Sequence, residues 1–163
     1  MDIKIKKKGH LIFNKMKIRC CVGKSGTKVN KKEGDGATPR GKFSLGKLYY
    51  RKDRIKKLTT HLKKNIIKKN LGWCHNSNHR NYNRQMNYSS IASTEKLYRK
   101  DHKYDLILVI NYNSNPIIKG KGSAIFLHIT KNYNPTAGCV AINVKDFLKI
   151  LKFIKKTTKI IIY

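Results

Sequence analysis

Hydrophobic and polar positions alternate through the first third of the chain. Ile3-Lys-Ile5, Leu11-Ile-Phe13 and Lys17-Ile-Arg-Cys-Cys-Val22 are short β-prone runs bounded by Gly9-His10 and by Gly23–Gly26, the pattern of brief strands joined by tight turns. A stretch dense in turn formers, Lys32-Glu-Gly-Asp-Gly-Ala-Thr-Pro-Arg-Gly41, then feeds a strand at Lys42-Phe-Ser-Leu-Gly46. Residues 51–70 are Lys-rich with scattered Ile and Leu, and this predicts a short helix. From Gly72 to Ser90 the pattern is irregular and includes the only Trp, Trp73. Order returns at Tyr104–Tyr112, whose centre Leu106-Ile-Leu-Val-Ile110 predicts a buried strand, and Ser123-Ala-Ile-Phe-Leu-His-Ile129 predicts the next. Asn143 with Asp146 three residues on forms a helix start resembling a capping box. Val144, Phe147, Leu148, Leu151 and Ile154 then fall on one apolar face, with Lys155-Lys156 in the expected last turn. Thr158-Lys-Ile-Ile-Ile-Tyr163 closes as a strand.

These elements predict one mainly β domain with a few short helices and a C-terminal helix-strand. No linker or internal repeat divides the chain, so residues 1–163 are read as a single domain. A hydrophobic content of 39% with only 3 Pro excludes a disordered tail. The longest clean apolar run, Leu106–Ile110, is far short of the roughly 18 residues a membrane span requires. Met1–Lys8 is basic, but Gly9-His10 and Asn14-Lys15 interrupt any apolar core behind it, so no Sec-type leader is visible. Four cysteines, two of them adjacent, are too few for a disulfide framework. Either the thiols stay reduced or one has a task.

The charge balance is extreme: 38 Lys and Arg against 8 Asp and Glu, a formal +30. A basic surface is the electrostatic footprint of a polyanion partner. Yet Lys, Asn, Ile and Tyr, all written by A/T-rich codons, dominate the composition, so drift in base composition accounts for the charge equally well. Position separates the two readings better than totals do. Residues 102–143 hold four basic side chains and one acid, and are nearly spared.

The spared segment holds the residue types that carry chemistry. His128 ends a predicted strand, and Cys139 follows eleven residues later across the turn Lys131-Asn-Tyr-Asn-Pro-Thr-Ala-Gly138. A strand, a loop and a return can bring an imidazole beside a thiol, where it either takes the proton that must leave before sulfur becomes nucleophilic or stabilises the ion pair. Gly138 permits a tight backbone in which consecutive N–H groups converge on an oxyanion. The plainer reading is that Cys139 is a small buried hydrophobe and His128 a satisfied core residue.

The wider context resembles the L,D-transpeptidase (YkuD-type) catalytic domain. Five ordered pieces carry the resemblance: Glu33-Gly-Asp-Gly-x-Thr-Pro-x-Gly-x-Phe43, Gly72-Trp73, Tyr82-Asn83, Gly120-x-Gly-Ser-Ala-Ile-Phe-Leu-His128 and Thr136-Ala-Gly-Cys139. The resemblance spans nearly the whole chain and implies a β-sandwich or barrel of mixed sheets. It implies Cys139 as nucleophile, His128 as general base and acid, and the N–H groups of Gly138 and Cys139 as oxyanion donors, with Thr136 shaping the loop. Peptidoglycan stem peptides are then donor and acceptor. A Cys139 thioester forms as terminal D-Ala leaves, and an amine gives a 3→3 cross-link or water gives a carboxypeptidase. No metal or cofactor is implied, and a monomer is expected. The periplasm or cell envelope is the location implied, although without a visible leader the cytoplasm stays open. Two positions depart from the commonest family pattern: Ala137 stands where a His is usual, and Ala141 where an Arg or Asn is usual. The substrate carboxylate is left to Arg40, Lys119 or Lys121 on charge alone. Trp73 and Tyr82 either cap a groove or pack.

Three rival readings remain. Cys74-His75-x-x-x-His79 has ligand types at a zinc-like spacing, though Asn76, Asn78, Asn81 and Asn83 make the same stretch read as a polar loop. Lys63-Lys64 and Lys68-Lys69 with Tyr82 and Tyr88 offer basic and aromatic groups to a nucleic acid, but no helix-turn-helix, zinc finger or RNP-like pattern is present, and no specific nucleic acid is expected. A non-catalytic domain of the same fold is the third, and the intact His128 and Cys139 weigh against it.

Overall fold

The structure, a computed structural model, describes residues 1–7, 9–88 and 93–163. Its centre is a closed barrel. Strands β1 (Ile3–Lys6), β2 (His10–Phe13) and β3 (Met16–Cys21) form an antiparallel meander from the three alternating runs at the N-terminus. The barrel is completed by β6 (Gly41–Tyr50), β11 (Leu106–Ile110), β12 (Phe126–Ile129), β13 (Val140–Ile142) and β14 (Lys159–Ile162), in the order β11-β12-β13-β3-β2-β1-β14-β6. Closure depends on the length of β6, whose Gly41–Ser44 half pairs β14 while Leu45–Tyr50 pairs β11. Two junctions are parallel, β1 with β14 and β12 with β13. Short pieces flank the barrel: β4 (Thr27–Lys28) with β5 (Thr38–Pro39), and β7 (Lys64–Ile66) on β6. A small sheet of β8 (Leu71–Cys74), β9 (Gln85–Asn87) and β10 (Thr94–Lys96) has β8 at its centre.

Alternation along β11 and β12 explains why their sequences read as unbroken apolar runs. Leu106, Leu108 and Ile110 point into the barrel core with Leu127, Ile129, Val140 and Ile142. Ile107, Val109 and Phe126 face outward into a second apolar cluster with Trp73, Leu97 and Tyr104. A strand buried on both faces has no polar side to show. One helix, α1 (Val144–Leu151), plugs the barrel core with Phe147, Ile150 and Leu151. Asn143 caps it, its side-chain oxygen accepting from the Lys145 N–H at 2.9 Å.

Several expectations change. No helix forms in 51–70: the chain makes one turn after Arg51, then continues without regular secondary structure to β7. Residues 54–70 contain no acid, so a helix there would set Lys beside Lys without counter-charge, and pairing to β6 takes over. The 72–90 stretch is irregular over residues 75–84, but it is framed by β8 and β9, whose four and three residues are too short to display a period. Ser89 and Ser90, the end of that stretch, lie outside the described residues. The helix stops at Leu151, so Lys155-Lys156 fall beyond its last turn, although Ile154 still packs in the core.

Phe147 is fully buried whereas Phe153, just past the helix, is exposed. Phe147→Ala should therefore cost about 3–5 kcal/mol of unfolding free energy, and Phe153→Ala much less, as read from guanidinium midpoints at unchanged slope.

Candidate active site

The parallel register sets the site. His128 lies opposite Ala141 and Leu127 opposite Val140. Side chains two apart share a face, so Cys139, immediately before β13, projects to the same outer face as Ala141, Phe126 and His128. The sulfur is accordingly held by β12. The Phe126 N–H donates to Sγ at 3.4 Å, and the thiol donates to the Ala124 carbonyl at 3.2 Å.

The loop before Cys139 is clamped from both sides. Thr136 bridges to Gly23, its N–H donating to Val22 O at 2.9 Å and its carbonyl accepting from Lys24 N at 2.8 Å. Its hydroxyl donates to the Cys139 carbonyl at 2.6 Å and accepts from the Gly138 N–H at 3.1 Å. Thr38, from the turn-rich segment, donates to the same carbonyl at 3.4 Å. Gly138 has φ +151°, and a Cβ there would sit 2.9 Å from the Ala37 carbonyl oxygen. The early turn is thus the back wall of the cysteine loop. Asp35 stiffens that wall by accepting from Lys32 N, Ala37 N and Lys31 Nζ.

Burial governs the electrostatics. Cys139 is 8% exposed and His128 6%. Burial, with a smaller push from the Glu95 charge, raises the Cys139 thiol to about 12. Burial lowers His128 to about 4, against a partial upward pull from its bond to the Ile129 carbonyl. That bond, Nδ1 to Ile129 O at 2.9 Å, places the ring proton on Nδ1 and leaves Nε2 as the acceptor. Tyr104 stands edge-on to the imidazole with ring centroids 5.2 Å apart. Among the described residues no hydrogen bond joins thiol to imidazole, and the resting pair is neutral.

Two cavities of about 470 and 390 Å³ meet along a wall of Glu95, Arg99, Tyr104, His128, Thr136 and Ala137. Cys139 and Gly138 line the first, so the structure brings together four predicted residues: Cys139, His128, Gly138 and Thr136. The others lie apart. Trp73 is buried edge-on against Phe126, donates to Asn83 and opens onto a different cavity. Tyr82 is buried and packs, its hydroxyl donating to Glu33 and accepting from Gly122 N. Arg40 is exposed and lines neither cavity beside His128, and Lys119 and Lys121 are exposed as well. Of the zinc-like trio, Cys74 is buried in β8 and His79 accepts from the Asn81 N–H within a turn. Among the described residues no group of three or more His, Cys, Asp or Glu is placed to hold a metal.

Lys31, Glu33, Glu95, Arg99, Tyr104 and Ser123 line the thiol cavity without having been singled out for it. Glu33 and Ser123 lie inside the motifs Glu33–Phe43 and Gly120–His128. Glu95 carried one available signal, its rarity in so basic a chain.

The family model of the L,D-transpeptidase catalytic domain (YkuD) matches residues 3–162. No curated protein is matched by the chain.

Gly138→Ala should force the cysteine loop off the Ala37 carbonyl and slow alkylation of Cys139 or its acylation by at least about tenfold, with loss of thermal stability. His128 supplies a pH signature. Its folded value lies below the unfolded one of about 6.5, so the unfolded chain binds the extra proton and stability falls as pH drops from about 6.5 toward 4. Urea titrations across that window should show His128→Gln losing roughly 3 kcal/mol less than the parent.

Proposed function

The chain belongs to the L,D-transpeptidase catalytic-domain family, transpeptidase-type enzymes of peptidoglycan, and from that membership we propose that it acts through a Cys139 thioester. The observation that carries this reading is the convergence of Cys139, His128 and the Thr136–Gly138 loop on one cavity.

The neutral resting pair dictates the order of events. A thiol near 12 beside an imidazole near 4 does not ionise in advance, so proton removal accompanies attack. The stem peptide enters with the carbonyl of the diamino acid's L-centre over Sγ. The thiol leaves its bond to Ala124 O, its proton passes to His128 Nε2, and the S–C bond forms. The tetrahedral oxygen takes hydrogen bonds from the N–H groups of Gly138 and Cys139; at rest the former is shared with Thr136 Oγ1. The C–N bond to terminal D-Ala then breaks, and its amine leaves with the proton returned by His128.

The thioester is resolved by an amine of a neighbouring stem peptide, giving a 3→3 cross-link, or by water, giving carboxypeptidase activity. An acceptor amine attacks as the free base, so His128 removes a proton in this half as well. The substrate class puts the site of action in the cell envelope or periplasm. No helix among the described residues is long and apolar enough to cross a membrane.

Intact-protein mass spectrometry tests the chemistry. Incubation with a carbapenem or a tetrapeptide donor should add one acyl mass to the parent chain and none to Cys139→Ala. An adduct retained by Cys139→Ala, or no adduct on the parent, would sink the mechanism.

A further inference from the structure

Two carboxylates face the thiol cavity in a chain that has only 8 acids against 38 basic residues. Glu33 accepts a hydrogen bond from the Tyr82 hydroxyl and Glu95 one from the Tyr104 hydroxyl. Among the described residues no salt bridge takes up Glu33. The cation beside Glu95, Arg99, stays 3.9 Å away because its guanidinium is held by Asp101 at 2.6 Å. Lys31 is likewise committed, to Asp35 at 2.8 Å and to the Lys32 carbonyl. Neutral phenols are thus the close donors to two carboxylates, each able to accept several hydrogen bonds. Burial pushes the Glu95 carboxyl up, and the Tyr104 hydroxyl and the Arg99 and His75 charges only partly offset it.

An independent feature marks the same place. Ser123 lines this cavity and is 7% exposed, and its buried hydroxyl has no hydrogen-bond partner among the described residues. Leaving a buried hydroxyl unpaired is destabilising, a cost removed if a ligand supplies the partner. Two carboxylates and a hydroxyl have acceptance in common. A ligand that carries positive charge and several N–H donors satisfies all three, and a primary ammonium has that chemistry. A carboxylate ligand would instead meet two like charges beside cations, Lys31 and Arg99, that already hold carboxylates of their own.

We infer that Glu33, Glu95 and Ser123 form a subsite for a primary ammonium. Resting on the peptidoglycan reading above, its occupant is the side-chain amine of the donor's diamino acid. The subsite lies beside the nucleophile, since Ala124, whose carbonyl holds the thiol, directly follows Ser123. Ammonium binding would fix the diamino acid while its L-centre carbonyl meets Sγ, and would select stem peptides whose amine is free.

Two tetrapeptide donors, identical except that one carries an acetyl group on the side-chain amine, test this by the rate of acyl-enzyme formation. The parent chain should prefer the free amine by about tenfold or more in kcat/KM, the share expected of charge-assisted hydrogen bonds. Glu33→Gln and Glu95→Gln should each shrink that ratio, and the double variant should bring it near one, with Ser123→Ala eroding it less. The rate on the acetylated donor in each variant reports whether fold and nucleophile survive. Equal rates on both donors in the parent chain, or a preference kept in the double variant, overturn the subsite while leaving the thioester chemistry standing. If neither donor nor a carbapenem acylates the parent chain, the peptidoglycan reading fails and the subsite with it.

Discussion

The parallel pairing of β12 with β13 is the constraint on which the rest of the site depends. Both strands are buried, so their register is fixed by which side chains enter the barrel and which face the second apolar cluster. A slip of one residue would send Leu127 outward and His128 into the barrel core. The same register delivers the Phe126 N–H to the sulfur. The thiol and the imidazole are therefore positioned by hydrophobic sorting: the apolar residues choose the register, and His128 and Cys139 follow from it.

A second layer of control comes from far away in sequence. The Cys139 carbonyl accepts from Thr136 and from Thr38, and Gly138 lies against Ala37. The backbone at Cys139 is thus held by a wall whose own geometry rests on Asp35 and Lys31. Such a frame keeps the cysteine loop from relaxing when its sulfur changes partners. It also explains a buried Lys31 in a chain whose other lysines are mostly solvated: its ammonium is consumed holding the frame.

Much of this was legible in the residues, for different physical reasons. The barrel strands announced themselves through β-prone runs such as Leu11-Ile-Phe13 and Leu106–Ile110, because burial demands apolar side chains there. Cys139, His128, Gly138 and Thr136 were found because they are close in sequence and their types are chemically specific. Glu33, Glu95 and Ser123 were not singled out because nothing local joins them; only closure of the fold brings residues 33, 95 and 123 to one cavity. Arg40 was put forward on charge alone, and charge is a poor guide where Lys and Arg number 38. The small sheet of β8, β9 and β10 escaped because strands of three or four residues are too short to show a period.

Strand β14 sits between β1 and β6, so the last strand in chain order is inserted beside the first. While the chain is being made, β1 has one neighbour in place, β2, and its other edge is unpaired. The barrel wall shuts only when β14 arrives. The cysteine loop, already synthesised, rests until then on a frame that lacks closure. Birth order therefore separates having Cys139 and His128 from having the closed cavity, since an incomplete nascent chain contains the thiol without the closed wall behind it. Contacts this distant along the sequence also make folding slow relative to its local steps, and they place the exposed edges of β1 and β6 among the surfaces most open to wrong partners before completion.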